Sequence, residues 1–348
     1  MRPLVTLTAA AIFVFSPFVA RATPVPGPLA DLRLQLAALS ERAPGHVAME
    51  VKDLSTGLTS GVNPTASMPA ASTIKIPIMV EVFKQLAAGR FDLNTRVTLQ
   101  PSDKDWGWGS LCDARAGTTY PVAQLLRAMI AVSDNTASNM LIRVVGRRNV
   151  NRTMFALGLD HTHLSDYIRS SGSGIRYALR SSPSDMVRLL TQMAKDELID
   201  AWSSREMIAI LSGQRHNTLI PQPLPSGVQI AHKTGTLDDT LDDVGIVYAA
   251  QESYVIAVMT TNLPSLTAGR RFIRRVSRIA YHDLERFALW RETNLQALGT
   301  AEVKSNRASG SENSASEDPA AGTPAGAPVW EDSTSPSPEP SAPPRSSR

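Results

Sequence analysis

The chain has 348 residues, 35 of them Lys or Arg and 32 Asp or Glu, which gives a formal charge of +3. This charge is small for the length, and no basic block is interleaved with aromatic residues, so the composition argues against a nucleic-acid partner. Cys112 is the only cysteine, so the fold has no internal disulfide and must be held by packing. We expect Cys112 to be a small core residue rather than a reactive thiol.

The first residues, 1–22, have the pattern of a secretory signal peptide. Arg2 supplies the positive start, an apolar run follows, and Ala20-Arg21-Ala22 has the small residues of a cleavage site. An uncleaved anchor is the weaker reading, since Pro17 interrupts the apolar run and no flanking stop-transfer charges follow. We therefore expect a periplasmic or secreted protein with no membrane span after cleavage.

The other end of the chain, 301–348, is rich in Ser, Pro, Ala, Gly and Glu. It has little apolar periodicity to bury, which predicts a disordered, solvated tail. A spacer that tethers the protein near the cell wall is the alternative. The segment 23–300 between these ends is then one domain, large enough for a single extensive core.

Within that domain, strands are predicted near both ends and helices between them. A helix from Pro28 is followed by two hairpin strands over 46–62, and three more strands follow over 228–261 before a last amphipathic helix. The pattern over 64–216 is helical. We predict an α/β (α+β) fold in which 28–63 and 217–296 form a five-stranded antiparallel sheet flanked by helices, beside an all-helical subdomain.

Three short strings stand out, and each is weak by itself. Ser72-Thr73-Ile74-Lys75 opens a predicted helix, Ser133-Asp134-Asn135 lies in an interhelix loop, and Lys233-Thr234-Gly235 ends a predicted strand. Residues three apart share a helix face, so Lys75 can reach the Ser72 hydroxyl. Burial and a second cation, for which Lys233 is the candidate, would favour the neutral amine that a general base needs.

Together, the order and context of the strings resemble the class A β-lactamases and their penicillin-recognising relatives. The resemblance covers about residues 30–295 and implies a β-lactamase/transpeptidase-like fold. It implies that Ser72 is the nucleophile, Lys75 its base, and Ser133 the relay that passes a proton to the leaving nitrogen. It also implies an oxyanion hole formed by the backbone N–H groups of Ser72 and Thr236.

The resemblance further implies a set of substrate-binding residues. Asn135 would hold the amide side chain of the substrate, and the third motif would bind its carboxylate through Lys233, Thr234, Gly235 and Thr236. Trp106 or Trp108 is a candidate wall of the cleft, with structural packing an equal alternative. Arg270 and Arg271 are candidates to assist carboxylate binding, with a solvated helix start as the safer interpretation.

One group of the class A pattern is missing. No glutamate occurs between Glu81 and Glu197, and Ile168 falls at or near the position of the glutamate that activates the deacylating water. Asp166 is the nearest carboxylate, but it has a shorter reach, and we expect it to stabilise the loop. The sequence therefore predicts complete acylation machinery and incomplete deacylation machinery.

The same loop contains His161 and His163, which with Asp166 suggest a zinc site. No other histidine cluster supports it, so we expect no metal and no cofactor. Asp238, Asp239, Asp242 and Asp243 are all attributed to the turn after the third motif. A sharper hypothesis is that this acidic rim favours amine-bearing substrates such as a peptidoglycan stem peptide over anionic drugs.

Three functions fit these residues. The first is a monomeric, exported serine hydrolase that is acylated by β-lactams and hydrolyses their amide, slowly because the loop glutamate is absent. The second is a peptidoglycan D,D-peptidase, which needs the same acylation machinery. The third is a penicillin-binding sensor or scaffold for which the acylated state is the endpoint. The intact motifs favour chemistry over a pure scaffold.

Overall fold

The computed structural model describes residues 27–170 and 178–310. The predicted signal segment, 1–22, lies outside these residues, as does the predicted tail from 311 onward.

The central sheet has five antiparallel strands in the order β2-β1-β10-β9-β8. They are β1 (His46–Asp53), β2 (Thr59–Val62), β8 (Gln229–Leu237), β9 (Thr240–Tyr248) and β10 (Tyr254–Thr261). The two ends of the domain meet where β1 pairs with β10, with His46 opposite Thr261. The predicted sheet is therefore confirmed in strand number and direction.

Both faces of the sheet are buried, which explains the near-continuous apolar run of β10. Val255, Ala257 and Met259 join one core cluster with the helices of the insert. Ile256 and Val258 point to the opposite face, where a second cluster contains side chains of the first and last helices. Alternate residues of a strand face opposite sides, so covering both sides removes the polar alternation of a half-exposed strand.

Eight α-helices occur among the described residues. They are α1 (Gly27–Ser40), α2 (Lys75–Ala87), α3 (Val122–Ala131), α4 (Asn135–Val145), α5 (Arg147–Ala156), α6 (Pro183–Ala194), α7 (Ala201–Ser212) and α8 (Leu266–Gly310). Side-chain caps fix three starts: Asp134, Ser182 and Asp200 each accept a bond from the backbone N–H three residues on. Such caps satisfy N–H groups that the first turn leaves free.

The sequence predicted an all-helical insert, but the insert is not all-helical. It also contains the short strands β3 (Met68–Pro69), β4 (Arg96–Thr98), β5 (Thr119–Pro121), β6 (His163–Leu164) and β7 (Leu179–Ser181). They pair as β3-β7-β6 and β4-β5. Strands of two or three residues are too short to show an alternating pattern, which is why the sequence did not reveal them.

The chain divides into one compact unit that ends at Gln296 and a second that starts at Ala297. Helix α8 continues to Gly310, so residues 301–310 are helical, not the start of the tail that was predicted from residue 301. The Ala, Glu, Lys and Arg residues of this stretch have high intrinsic helix propensity. Among the described residues, no helix is both long and apolar enough to cross a membrane.

Candidate active site

Ser72 lies in a single turn of 3-10 helix, Ala71–Ile74, that leads directly into α2. Thr73 fixes this turn, because its backbone N–H and its hydroxyl both donate to the Ala70 carbonyl, at 2.9 and 2.6 Å. Ala71 adopts a φ of +41°, in the left-handed region that residues other than glycine seldom occupy. The rest of the turn is buried and Ser72 is partly exposed, so the serine is the residue that faces the cleft.

Lys75 is completely buried at the start of α2. Its Nζ contacts the Ser133 carbonyl at 2.7 Å, the Ser133 Oγ at 3.0 Å and the Asn135 Oδ1 at 2.8 Å. Burial, and next the charge of Lys233, lower the pKa of Lys75 well below its usual value, and the carboxylate of Asp134 opposes this only in part. The structure therefore favours the neutral amine, which is the form able to accept a proton.

Ser133 connects the two lysines. Its Oγ lies 3.0 Å from Lys75 Nζ and 3.1 Å from Lys233 Nζ. A hydroxyl both donates and accepts, so it can accept from a Lys233 ammonium while it donates to a neutral Lys75 amine. The side chain is thus placed to pass a proton from one group to another.

The backbone around Ser133 is unusual and is held by its neighbour Asp134. Ser133 itself has a φ of +58°. The buried Asp134 carboxylate caps α4 and also accepts from the N–H groups of Ser110 and Leu111, at 2.9 and 3.0 Å. Gly109 passes so close that an added Cβ would lie 2.1 Å from Asp134 Oδ2. The middle motif therefore contributes one functional hydroxyl and one structural carboxylate.

Lys233 is completely buried on β8. Its Nζ donates to the Thr234 carbonyl at 2.8 Å as well as to Ser133. Burial lowers the pKa of Lys233 to about 7, against the opposing charge of Asp243. This amine therefore exchanges its proton near neutral pH.

Gly235 lets β8 pass directly against the Ser72 turn. A Cβ at this position would lie 3.0 Å from the Ala71 Cβ and 3.1 Å from the Ala70 carbonyl oxygen. Only a residue without a side chain allows this approach without displacement. The close contact brings the backbone of Thr236, the next residue of β8, to the segment that carries Ser72.

Asn135 is oriented by Asp105, a residue that the sequence did not indicate. The Asn135 Nδ2 donates to Asp105 Oδ1 at 2.7 Å, and Asp105 also accepts from the Ser170 N–H at 2.8 Å and the Gly107 N–H at 3.0 Å. Burial alone would raise the pKa of Asp105, but these hydrogen bonds outweigh it and lower the pKa. An Asp directly before the Trp- and Gly-rich stretch 106–109 gave no spacing signal for this role.

Two adjoining cavities open on Ser72. The first has a volume of about 260 Å³ and the second of about 710 Å³. The first is lined by Ser72, Trp108, Ser133, His216, Thr218, Leu219, Thr234, Thr236, Leu241, Leu266 and Arg270. Of the predicted candidates, Trp108 and Arg270 thus lie on the cleft, while Trp106 is 70% exposed and Arg271 is exposed.

The second cavity places Ile168 near Ser72 and Asn135. Ile168 is buried, and Asn139 fixes its backbone by accepting from its N–H at 2.8 Å and donating to its carbonyl at 3.1 Å. Asp166 is exposed and lies 3.6 Å from Arg147. Ile168 is therefore the apolar residue that this loop contributes to the cavity wall, beside Arg169 and Ser170, and Asp166 is exposed.

The two loop histidines do not come together on Asp166. His161 Nδ1 lies 3.5 Å from Asp185 Oδ1, and His163 is exposed on β6. In the ranges that the structure describes, no group of three or more His, Cys, Asp or Glu side chains is arranged to hold a metal ion.

The sequence predicted that the four aspartates after the third motif share one turn, but they do not. Asp238 and Asp239 form the turn between β8 and β9, whereas Asp242 and Asp243 lie within β9 and are fully buried. Asp243 accepts from the Ile220 N–H at 3.0 Å and pairs with the His232 Nδ1 at 2.8 Å. From composition alone, an aspartate in a turn cannot be distinguished from an aspartate that becomes buried when the next strand pairs in the sheet.

Asp242 is the less satisfied of the two buried aspartates. Its Oδ1 accepts from the Thr260 N–H at 2.9 Å, but its Oδ2 has no hydrogen-bond partner among the described residues. Burial raises the pKa of Asp242 well above its usual value, which favours the protonated, neutral form of the side chain.

Replacing Asp242 by Asn is expected to raise the free energy of unfolding at neutral pH by roughly 1 to 3 kcal/mol. The acid ionises only when the protein unfolds, so ionisation favours the unfolded state increasingly as pH rises above the unfolded pKa of about 3.9. Asparagine does not ionise and therefore avoids this loss of stability. Thermal melts of both proteins at pH 4 and pH 7.5 measure it. A gain at pH 7.5 that disappears at pH 4 is expected, and an equal effect at both values would contradict the neutral-acid assignment.

The family model of the beta-lactamase enzyme family matches residues 31–284. The chain therefore belongs to this family, in agreement with the fold and with the resemblance carried by the three motifs.

Solved structures of related proteins superpose on most of the chain. PBP-A is 30% identical, with 76% of this chain and 100% of that chain covered and a TM-score of 0.70. A leucine-to-glutamate variant of PBP-A, solved as an acyl-enzyme complex with penicillin G, has the same identity and coverage and a TM-score of 0.71. A β-lactamase from Sphaerobacter thermophilus is 30% identical, with 73% and 95% covered and a TM-score of 0.66. The relatives thus include both a penicillin-binding protein and a β-lactamase.

Proposed function

We propose that this protein is an exported, monomeric serine hydrolase that is acylated on Ser72 by β-lactams and hydrolyses their amide slowly. The observation that carries the proposal is the buried chain of hydrogen-bonding groups from Lys75 through Ser133 Oγ to Lys233, with links of 3.0 and 3.1 Å, beside the exposed Ser72. The penicillin acyl-enzyme of a PBP-A variant supports a β-lactam as the acyl donor.

In the acylation step, Lys75 and Ser133 pass one proton from Ser72 to the leaving nitrogen. Neutral Lys75 takes the proton of the Ser72 hydroxyl while the oxygen forms a bond to the carbonyl carbon of the lactam. The backbone N–H groups of Ser72 and Thr236 stabilise the oxyanion. When the C–N bond breaks, Ser133 gives its proton to the leaving nitrogen and recovers one from Lys75, so the proton taken from Ser72 ends on the leaving group.

The substrate is held from two sides in this proposal. Lys233, Thr234, Gly235 and Thr236 form the carboxylate site together with Arg270, which lines the same cavity. Asn135, held by Asp105 at 2.7 Å, donates to or accepts from the acylamide side chain. No cofactor takes part.

Deacylation lacks a dedicated base, because Ile168 occupies the wall of the cavity that faces Ser72. A long-lived acyl-enzyme follows from an apolar group at the place where water must be activated. The same feature favours the second candidate, a peptidoglycan D,D-peptidase, for which the acyl group is a stem peptide. If the acyl group is never released, the protein acts as a sensor or scaffold whose endpoint is the adduct.

The test is to incubate the mature protein with benzylpenicillin and with nitrocefin while intact mass and turnover are followed together. We expect an adduct on the wild type, slow nitrocefin turnover, and neither with Ser72→Ala. A persistent adduct without any turnover would favour the sensor function over hydrolysis. A stem-peptide acyl group that is released faster than the penicillin acyl group would favour the peptidase. Absence of any adduct would refute acylation of Ser72.

Replacing both Asp238 and Asp239 by Asn is expected to increase acylation by anionic β-lactams several-fold. Both residues line the larger cavity with Ser72, where their charges repel a carboxylate. Acylation by benzylpenicillin and by an amine-bearing penicillin is to be compared at low and high salt, because screening weakens such exposed charges. Unchanged rates for both donors at low salt would show that the pair serves the turn alone.

A further inference from the structure

His216 lines the smaller cavity together with Ser72, Ser133 and Thr236, yet acylation as proposed above gives it no part. Its imidazole packs edge-on against Trp108, with ring centroids 5.4 Å apart and planes at 85°. The ring is thus fixed in the wall of the cavity by an aromatic neighbour rather than left free in solvent.

The two ring nitrogens have different surroundings. The Nε2 atom is buried and has no hydrogen-bond partner among the described residues. The ring also makes a hydrogen bond with the backbone of Val132, which favours its protonated form. The unmatched atom is therefore Nε2, and a buried polar atom without a partner costs free energy unless a ligand supplies one.

The charges around the ring are positive. Burial, and then the charge of Lys233, lower the pKa of His216, and His232 and Lys75 act in the same direction when they are protonated. Arg270 lines the same cavity from α8. In the free protein the imidazole is therefore neutral near pH 7, and an anion bound among these groups would offset the positive charges that contribute to that neutrality.

We propose that His216 determines specificity for acyl donors with a carboxylate, because the bound carboxylate protonates the ring and receives a hydrogen bond from its Nε2. The inference rests on the proposed function, since the carboxylate is that of the donor that acylates Ser72. One proton is taken from solvent when the donor binds and is returned when it leaves, and His216 makes and breaks no covalent bond.

The pH dependence follows from the direction of this change. The pKa of His216 is higher in the complex than in the free protein, so its contribution is complete below the free value and is lost as pH rises through the bound value. Lys233, with a pKa of about 7, also loses its charge over this range. Lys75, Lys233, His232 and Arg270 are the same in the wild type and in a His216 variant, so the ratio of their rates isolates the imidazole.

The experiment measures the acylation rate constants of benzylpenicillin and of its methyl ester at pH 5.5 and pH 8 by intact mass. The proteins are the wild type, His216→Gln and His216→Phe, where phenylalanine retains the edge-on contact with Trp108. We expect both variants to react about tenfold more slowly with the acid at pH 5.5, the effect of losing a hydrogen bond to a charged group. At pH 8 the loss should shrink to about twofold or less, and the ester should react alike with all three proteins at both values.

The other outcomes each exclude something specific. A His216→Phe protein that equals the wild type with the acid at pH 5.5 would show that the ring only packs on Trp108. An equal loss with the acid and the ester would assign His216 a role that does not involve the carboxylate. Normal reaction with the ester also shows that each variant is folded. If the wild type forms no adduct with either donor, the proposed acylation of Ser72 fails, and this inference fails with it.

Discussion

Replacing Lys75 by methionine is expected to slow acylation by benzylpenicillin by about 100- to 10,000-fold, the range of a positioned general base. The amine is completely buried, and burial together with the charge of Lys233 lowers its pKa, so the wild-type residue is available as a neutral base. Methionine has a similar length and no basic atom. Because folding removes a proton that the unfolded lysine holds at neutral pH, a lysine with a lowered pKa costs stability, and the variant is expected to melt no lower than the wild type.

Lys84→Met is the matched control, since Lys84 is on the same helix but exposed, with its Nζ bonded to Thr153 at 2.8 Å. Its acylation rate is expected to stay within about twofold of the wild type. The wild-type rate should rise with pH as Lys75 loses its proton, and this rise should vanish in Lys75→Met. Equal acylation by Lys75→Met and the wild type would transfer the role of base to another group.

Replacing Ile168 by glutamate is expected to shorten the lifetime of the penicillin adduct by about 100- to 10,000-fold, again the contribution of one general base. Ile168 lines the cavity that contains Ser72, and Asn139 fixes its backbone through two hydrogen bonds of 2.8 and 3.1 Å. A carboxylate introduced there would be held at the place where the acyl group meets water. Burial should raise its pKa, so deacylation by the variant should increase with pH as the carboxylic acid ionises.

Ile168→Gln separates the base from the change in size and polarity, because glutamine has the same length and cannot accept the proton. The adduct lifetime is measured by intact mass after excess penicillin is removed. Both variants are expected to lose stability, because each places a polar group at a buried apolar position. A glutamine variant that deacylates as fast as the glutamate variant would point to loop opening, and an unchanged lifetime in both would show that Ile168 does not limit deacylation.

The catalytic groups could be predicted from the sequence because they are carried by short motifs. A spacing of three residues puts Lys75 on the same helix face as Ser72. Lys233 lies on a strand that follows a long insert, but the Lys-Thr-Gly motif that it begins is still recognisable. The absence of a glutamate between Glu81 and Glu197 is likewise a fact of the sequence. These residues can therefore be named from the sequence without knowledge of how the surrounding side chains pack.

The residues that orient the catalytic groups could not be predicted in this way. Asp105 lies 30 residues before Asn135, and its carboxylate is joined to that side chain at 2.7 Å only in the folded chain. His216 has no motif at all, and it reaches the cleft because the segment before β8 passes beside Trp108. Contacts of this kind depend on how loops close over the site, which no local period encodes.

The sequence by itself determined the five-stranded antiparallel sheet, the mainly helical insert beside it and the motifs that supply the proposed acylation groups, because periodicity and motif spacing are local properties of the chain. The tertiary structure decided the shifts of the pKa values, since Lys75, Lys233 and Asp242 are shifted because folding buries them, and Lys75 also because folding sets it beside Lys233. It also decided that Asp242 and Asp243 are core residues and that Ile168 lines the same cavity as Ser72. Burial and long-range proximity arise only when distant segments pack, and both govern how this serine reacts.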